Sequence, residues 1–359
     1  MLILPDGPLV AMENFAPLFP LDGSRFELMS APVADAVGHY SPGCTSRYFK
    51  KENDELCLPQ GVPFSWDVTE GAPLFLFLGR TPDLRGADVY RLSGREVKIH
   101  NLFPGSTYYW KLKGGKRADG SLPESSLRFF CTEKGVRTLR IGGVSNARDV
   151  GGYPAEGGKR VRMGMAYRSA KFDQITEEGR DCVKRELRLR TDLDLRTPDT
   201  EATSPLKGIV PNYRNIAGPF YSGATGIGSG SPDENNRRFV EELRVFTKRE
   251  NYPIAFHCSV GRDRTGTLAC VLGGLLGVSW ENLSLDYELS FLSRAGTLDG
   301  SDPVRLVPDY LQSIPRSLSF YGGGSFRERC ENYVRAWGME EREIAAIRAI
   351  LLEEGGESC

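Results

Sequence analysis

A strand-length apolar run that ends on a cysteine and passes, across one short loop, into an almost wholly apolar helix leaves this chain little freedom in how it folds. Ile254, Ala255 and Phe256 make the strand, His257 and Cys258 end it, and Gly266 to Leu276 has the composition of a core helix. Between them lie Ser259, Val260, Gly261, Arg262, Asp263, Arg264 and Thr265, which must turn tightly at Gly261.

Such a loop gathers amides that have no partner inside the helix, and the helix dipole adds partial positive charge at the same place. A tetrahedral dianion fits that cradle. Cys258 at its base is expected to titrate below the free thiol value of about 8.5. A thiolate facing bound phosphate is a nucleophile aimed at phosphorus. Arg264, six positions on, is placed to return over the loop and hold two equatorial oxygens with its planar fork. Ser259, Val260, Gly261, Arg262 and Thr265 complete the expected phosphate-binding set, Thr265 with a hydroxyl for the departing thiolate.

Cys-x5-Arg followed by Thr-Gly, behind an apolar strand and a histidine, resembles the active-site loop of the protein-tyrosine phosphatase superfamily. More narrowly, residues 135–359 resemble the bacterial tyrosine and lipid phosphatase family, whose loop reads His-Cys-x-x-Gly-Lys-Asp-Arg-Thr-Gly. Asn146-Ala147-Arg148-Asp149-Val150-Gly151-Gly152-Tyr153 is similar to that family's Asn-x-Arg-Asp-x-Gly-Gly-Tyr signature. Tyr167-Arg168-Ser169 and Asp192-Leu193-Asp194-Leu195-Arg196-Thr197 resemble two further motifs, in the same order. One departure is Arg262, where the family has lysine. The resemblance implies metal-independent, cofactor-free hydrolysis of phosphate monoesters through a cysteinyl phosphate. Phosphotyrosine protein is the first substrate expected and a phosphoinositide or inositol polyphosphate the alternative; a phosphate-binding module without turnover is the remoter one.

A leaving alkoxide or phenoxide needs an acid within reach. No Trp-Pro-Asp sequence precedes Cys258, and Asp233 reads as part of a helix start. Asp263 is the candidate instead, since neighbouring phosphate would disfavour its ionised form, and the family resemblance implies the same role. Its other reading is an ion pair that orients Arg262 or Arg264. Arg148, Asp149, Arg168, Asp194 and Arg196 either line the cleft or tie elements together by buried salt bridges. His257 is expected to fix the loop by hydrogen bonding, and Cys270, about three turns into the helix, to be core. Tyr221 and the glycine-rich residues 222–231 are either a lid or a connection.

Upstream of Gly135 the pattern is different. Leu74–Gly79, Glu96–Leu102, Thr107–Lys113 and Ser126–Thr132 read as short strands separated by Gly and Pro turns. The segment from Val97 to Gly115, with its Leu-x-Pro-Gly turn and Tyr-x-Trp strand, resembles fibronectin type III and related immunoglobulin-like domains over residues 55–134. The expected fold is thus an α/β phosphatase domain over 135–359, a central sheet flanked by helices. An all-β antiparallel sandwich over 1–134 precedes it, with residues 1–50 unassigned. That first domain is expected to bind a protein partner or to shape the mouth of the second.

The 46 basic residues are matched by 47 acidic ones, which excludes a globally basic nucleic-acid surface. Between Arg137 and Arg196, however, 14 basic residues face 9 acidic ones, either a solvated helix face or a field for an anionic substrate. Three histidines and eight cysteines without paired spacing give neither a metal site nor a disulfide framework. No signal peptide or membrane-spanning run is legible, so a cytoplasmic location is expected, with export lacking a signal as the alternative.

Overall fold

The computed structural model describes residues 15–50, 54–68, 74–115, 120, 122–197, 203–218, 231–297 and 311–356. The chain divides into two compact units. One takes residues up to Leu28 together with Gln60–Gly135; the other takes Met29–Pro59 together with Val136–Gly356. The break between Gly135 and Val136 falls where the sequence pattern changes, and residues 29–59 belong to the second unit. The reason is packing. Helix α1 (Ala31–Gly38) buries Val33 and Ala36, and with Met29 and Cys57 they join the same core as Phe239, Phe256 and Leu268.

In the first unit β1 (Phe15–Phe19), β3 (Val62–Val68) and β6 (Glu96–Ile99) form one sheet in the order β1-β3-β6. β2 (Ser24–Phe26), β4 (Leu74–Gly79), β5 (Asp88–Leu92), β7 (Thr107–Gly114) and β8 (Arg128–Thr132) form another, ordered β2-β8-β7-β4-β5. Successive side chains along a strand point to opposite faces, and every second residue of β4 and β7 is buried. Val62, Phe64 and Trp66 of one sheet share a core with Leu74, Leu76, Leu78, Tyr108, Trp110 and Leu112 of the other. Phe64 meets the Trp110 ring edge-on, with centroids 5.1 Å apart. The pairing is not purely antiparallel, because β2 runs parallel to β8. Cysteine spacing suggested no disulfide, yet Cys131 is disulfide-bonded; Cys44, Cys57, Cys182, Cys258, Cys270 and Cys330 are free thiols.

In the second unit β9 (Arg148–Asp149) is followed by a small antiparallel pair, β10 (Pro154–Ala155) and β11 (Lys159–Val161). β12 (Ala166–Ser169), β13 (Thr191–Asp194), β14 (Asn212–Asn215) and β15 (Ile254–His257) are parallel and, with β9 as an antiparallel edge, form a five-stranded sheet ordered β14-β13-β15-β12-β9. Ile254 and Phe256 enter the core on one face, and Ala255 enters a second core on the other with Tyr167, Cys182 and Val183. Helices therefore cover both faces, α3 (Pro232–Val245), α4 (Asp263–Leu275) and α5 (Trp280–Glu288) on the first. Every residue of α4 is buried, as its composition predicts. Thr176 caps α2 (Glu177–Asp181), its side chain accepting a bond from Gly179 N. Among the described residues no helix is long and apolar enough to cross a membrane.

Candidate active site

β15 is the central strand, and its register sets Ser169 of β12 and Asp194 of β13 on either side of His257. The carboxyl ends of three parallel strands thus converge where Cys258 begins the loop, the crevice at which open α/β sheets gather ligands. Gly261 makes the turn with φ +72°, and a Cβ there would stand 2.4 Å from the carbonyl carbon and oxygen of Ser169. Only glycine satisfies both the left-handed backbone and the close approach.

The loop carbonyls are all tied to surrounding structure. Ser259 O accepts the Lys171 amide at 3.2 Å. Val260 O accepts Asn146 Nδ2 at 3.0 Å. Arg168 Nη2 donates to Gly261 O at 2.9 Å and to Arg262 O at 3.4 Å, and the Gly266 amide also reaches Arg262 O, at 2.8 Å. A trans peptide points its carbonyl and the next amide in opposite directions. Holding four successive carbonyls outward therefore turns the amides of Val260, Gly261, Arg262 and Asp263 toward the inside of the loop. No side chain caps the start of α4.

Cys258 is 1% exposed. Burial pushes its thiol up, but the Arg264 charge and the hydroxyl and amide of Thr265 outweigh it and hold the thiol below its ordinary value. Arg264 donates Nη1 to Leu195 O at 3.2 Å and, across the loop, Nη2 to Ser259 Oγ at 3.0 Å. Behind it lies the Glu242 carboxyl, fully buried; burial raises its pKa well above the ordinary value against the opposing pull of Arg264.

His257 is wholly buried, with Nε2 3.0 Å from Asp192 Oδ1 and Nδ1 3.3 Å from the Cys258 carbonyl. Burial works against its protonation, but Asp192 and Asp194 prevail and raise its pKa. Asp194 accepts Arg196 Nε at 2.9 Å and Nη2 at 2.8 Å, and Arg196 Nη1 continues to Asp173 at 2.9 Å. Burial pushes Asp194 up, yet Arg196 and His257 keep it below the usual carboxylate range.

Arg148 and Arg168 converge on Asp286 of α5, Arg148 Nε at 2.8 Å from Oδ1 and Arg168 Nη1 on Oδ2. Arg148 also donates Nη1 to Asn146 Oδ1 at 2.6 Å. Two arginines are thereby fixed as supports of the loop. Asp149 is elsewhere: it takes Arg137 Nη1 at 3.0 Å and the amides of Gly151 and Gly164, and ties strands together. Arg137, Arg148, Arg168 and Arg196 are all buried in ion pairs, so this part of the basic excess is neither a solvated face nor an open field.

Arg262 departs from expectation. Its guanidinium lies 3% exposed over the Phe291 ring, donating to Asp263 at 2.9 and 3.2 Å and to Gly296 O at 2.7 Å. Its side-chain charge is directed at the protein. Asp263 also accepts the Tyr287 hydroxyl at 3.3 Å. Asp286, Tyr287 and Glu242 carry no local sequence signal, whereas Asn146 sits in a recognisable motif and was readable as a site residue. Cys270 is core, its thiol pushed up to about 12 by burial. Tyr221 and residues 222–230 lie outside the described residues; Ser231 caps α3 by accepting the Glu234 amide.

Residues 139–353 match the tyrosine phosphatase family. A protein of Cupriavidus necator with a provisional tyrosine-protein phosphatase name is 26% identical over 259 residues, covering 60% of this chain and 88% of its own length. The tyrosine-protein phosphatase of Nostoc commune is 26% identical over 220 residues, 52% of this chain and 74% of the relative. The solved core catalytic domain of the PP-IP phosphatase SIW14 from S. cerevisiae, in complex with citrate, aligns at 18% identity and a TM-score of 0.29. It covers 44% of this chain and 90% of that one; at that score the likeness bears on neither fold nor substrate.

Proposed function

Since this chain belongs to the tyrosine phosphatase family and is a phosphatase, we propose that it hydrolyses phosphate monoesters through a cysteinyl phosphate on Cys258, with phosphotyrosine as the substrate class. In this reading the amides from Ser259 to Thr265 and the Arg264 fork hold the three non-bridging oxygens. The Cys258 thiolate displaces the ester oxygen, which takes its proton from Asp263 as it leaves. Water then attacks the cysteinyl phosphate, and the Thr265 hydroxyl stabilises the departing sulfur. Arg168, Asn146 and Asp286 keep the loop in shape; His257, Asp194 and Arg196 brace the strand ends beneath it.

The observation that carries the proposal is geometric: Cys258, 1% exposed, opens a loop whose carbonyls at Val260 and Gly261 are tied to Asn146 and Arg168 and across which Arg264 reaches Ser259 Oγ. Arg264 and Thr265 lower its thiol against the penalty of burial. A structural cysteine so deeply buried would be pushed up, as Cys270 is. Phosphotyrosine is placed ahead of phosphoinositides because Arg262, the side chain that would have greeted extra phosphates, is engaged by Asp263 and Gly296. A panel of phosphotyrosine peptides, phosphatidylinositol phosphates in vesicles and inositol hexakisphosphate, assayed in a chelator, tests it. The highest kcat/KM is expected on the peptides; preference for the multiply phosphorylated lipids reverses the order.

The first unit is proposed to be a fibronectin III or immunoglobulin-like domain that binds a protein partner, supported by the alternating strands that share one core. The free thiols support a reducing, cytoplasmic setting, and the Cys131 disulfide supports export.

A further inference from the structure

We propose that Glu55, which lies outside the segment matching the family, is a positioning residue for the phosphate loop. The inference rests on the reading of that loop as the phosphate site. Glu55 is part of the second unit through the 29–59 segment. Its Oε1 accepts the Asn146 amide at 2.8 Å and the Cys57 thiol at 3.1 Å; its Oε2 accepts Ser145 Oγ at 2.5 Å and the Arg294 amide at 3.2 Å.

Both receiving segments run directly to the loop. Asn146 sends Nδ2 to Val260 O at 3.0 Å. Arg294 opens the turn α6 (Arg294–Thr297), whose Gly296 carbonyl accepts Arg262 Nη1 at 2.7 Å. Ser145 Oγ joins the two, taking the Ala295 amide at 3.0 Å. One carboxylate therefore fixes two outer supports of the loop, those at Val260 and at Arg262.

The backbone explains why such a clamp is needed. Asn146 has φ +57°, a left-handed conformation that side-chain-bearing residues adopt at an energetic cost. Hydrogen bonds to a carboxylate are about twice as strong as neutral ones, and here they hold the Ser145 hydroxyl and the Asn146 amide, immediately before that residue's side chain. Without the carboxylate, residues 145–146 are released to relax, and the Asn146 amide group leaves Val260. The peptide that presents the Gly261 amide then loses its outward tie.

The test compares Glu55→Ala, Glu55→Gln, Asn146→Gly and the Glu55→Ala/Asn146→Gly pair in the full chain; glycine at 146 keeps the left-handed backbone and removes only the side chain. Readouts are Cys258 alkylation by iodoacetate against pH, its protection by inorganic phosphate, and kcat and KM on p-nitrophenyl phosphate. Glu55→Ala is expected to shift the alkylation midpoint to higher pH, weaken phosphate protection about 10-fold and lower kcat/KM by about 10-fold or more. The pair is expected to lose less than the sum of the two single losses, because the two changes share the connection through Asn146 while the Arg294 route is lost only with Glu55. A folded Glu55→Ala with wild-type alkylation and phosphate protection overturns the inference, as do fully additive losses in the pair. If the alanine variant does not fold, Glu55→Gln decides: it keeps the volume and one acceptor oxygen, about a 3-fold weakening of phosphate protection is expected, and no weakening overturns the inference. Alkylation and protection do not require turnover. A chain that binds phosphate at Cys258 but hydrolyses nothing would sink the phosphatase reading and leave this one standing.

Discussion

Arg168 Nη2 lies 2.9 Å from the carbonyl oxygen of Gly261, a residue 93 positions further along the chain. A guanidinium that is wholly buried on one strand thus holds the outer side of a loop on the next, and its charge is balanced from behind by Asp286. Loop shape and core electrostatics are one problem in this protein.

Asp286→Asn leaves Arg148 and Arg168 buried with their counter-charge removed. It should cost about 3–5 kcal/mol of stability at neutral pH, read by urea unfolding, and lower kcat/KM more than KM alone explains. Burial pushes the Asp286 carboxyl up, but the two arginines hold it below the usual range. Its contribution is therefore complete above the unfolded value of about 3.9 and is lost as pH falls through its lower folded value. The variant should show a flatter acid-side stability curve; an unchanged curve contradicts the assignment.

Gly261→Ala meets a left-handed φ and a contact of 2.4 Å with Ser169 backbone atoms, so the loop must shift rather than a side chain. A cost of about 1–3 kcal/mol is expected, with kcat down at least about 100-fold. Circular dichroism and turnover together check it; near-normal activity would mean the turn is not part of the site.

Thr265→Ala removes one of the groups that keep the Cys258 thiol low. The alkylation midpoint should move to higher pH, and breakdown of the cysteinyl phosphate should slow until a pre-steady-state burst becomes visible. A midpoint that stays in place would contradict the hydroxyl's role and leave the lowering to Arg264 and the residue-265 amide.

How much of this was legible in the sequence differs by element. The strand, loop and helix from Ile254 to Leu275 could be read directly, because thiol, glycine turn, arginine and apolar helix are contiguous and their chemistry needs that order. Leu74–Gly79 is legible as a short apolar run rich in aromatics, and Thr107–Lys113 from period-2 alternation. The parallel pairing of β2 with β8 was not, nor was the membership of residues 29–59 in the second unit, since no local pattern records a long-range partner. Arg148 and Asp149 read equally as cleft or core residues, because a buried ion pair leaves the same letters as a surface one. Asp286 and Glu55 act across 118 and 91 residues, and only the folded chain brings them to the loop.

Asp263 has two readings that kinetics separates. As the acid, Asp263→Asn should lower kcat about 10²–10⁴-fold on a phosphotyrosine peptide, abolish the basic limb of the pH profile, and cost far less on a substrate whose leaving group needs no proton. As an anchor for Arg262, which its carboxylate engages at 2.9 and 3.2 Å, it would lower both substrates equally and leave the limb in place.

The most direct test of the account follows the phosphoryl group itself. Rapid quenching of the full chain with a radiolabelled phosphate ester, followed by peptide mapping, should place the label on Cys258, and Cys258→Ser should carry no label and show no turnover. Label on another residue, or turnover that survives in Cys258→Ser, would contradict it.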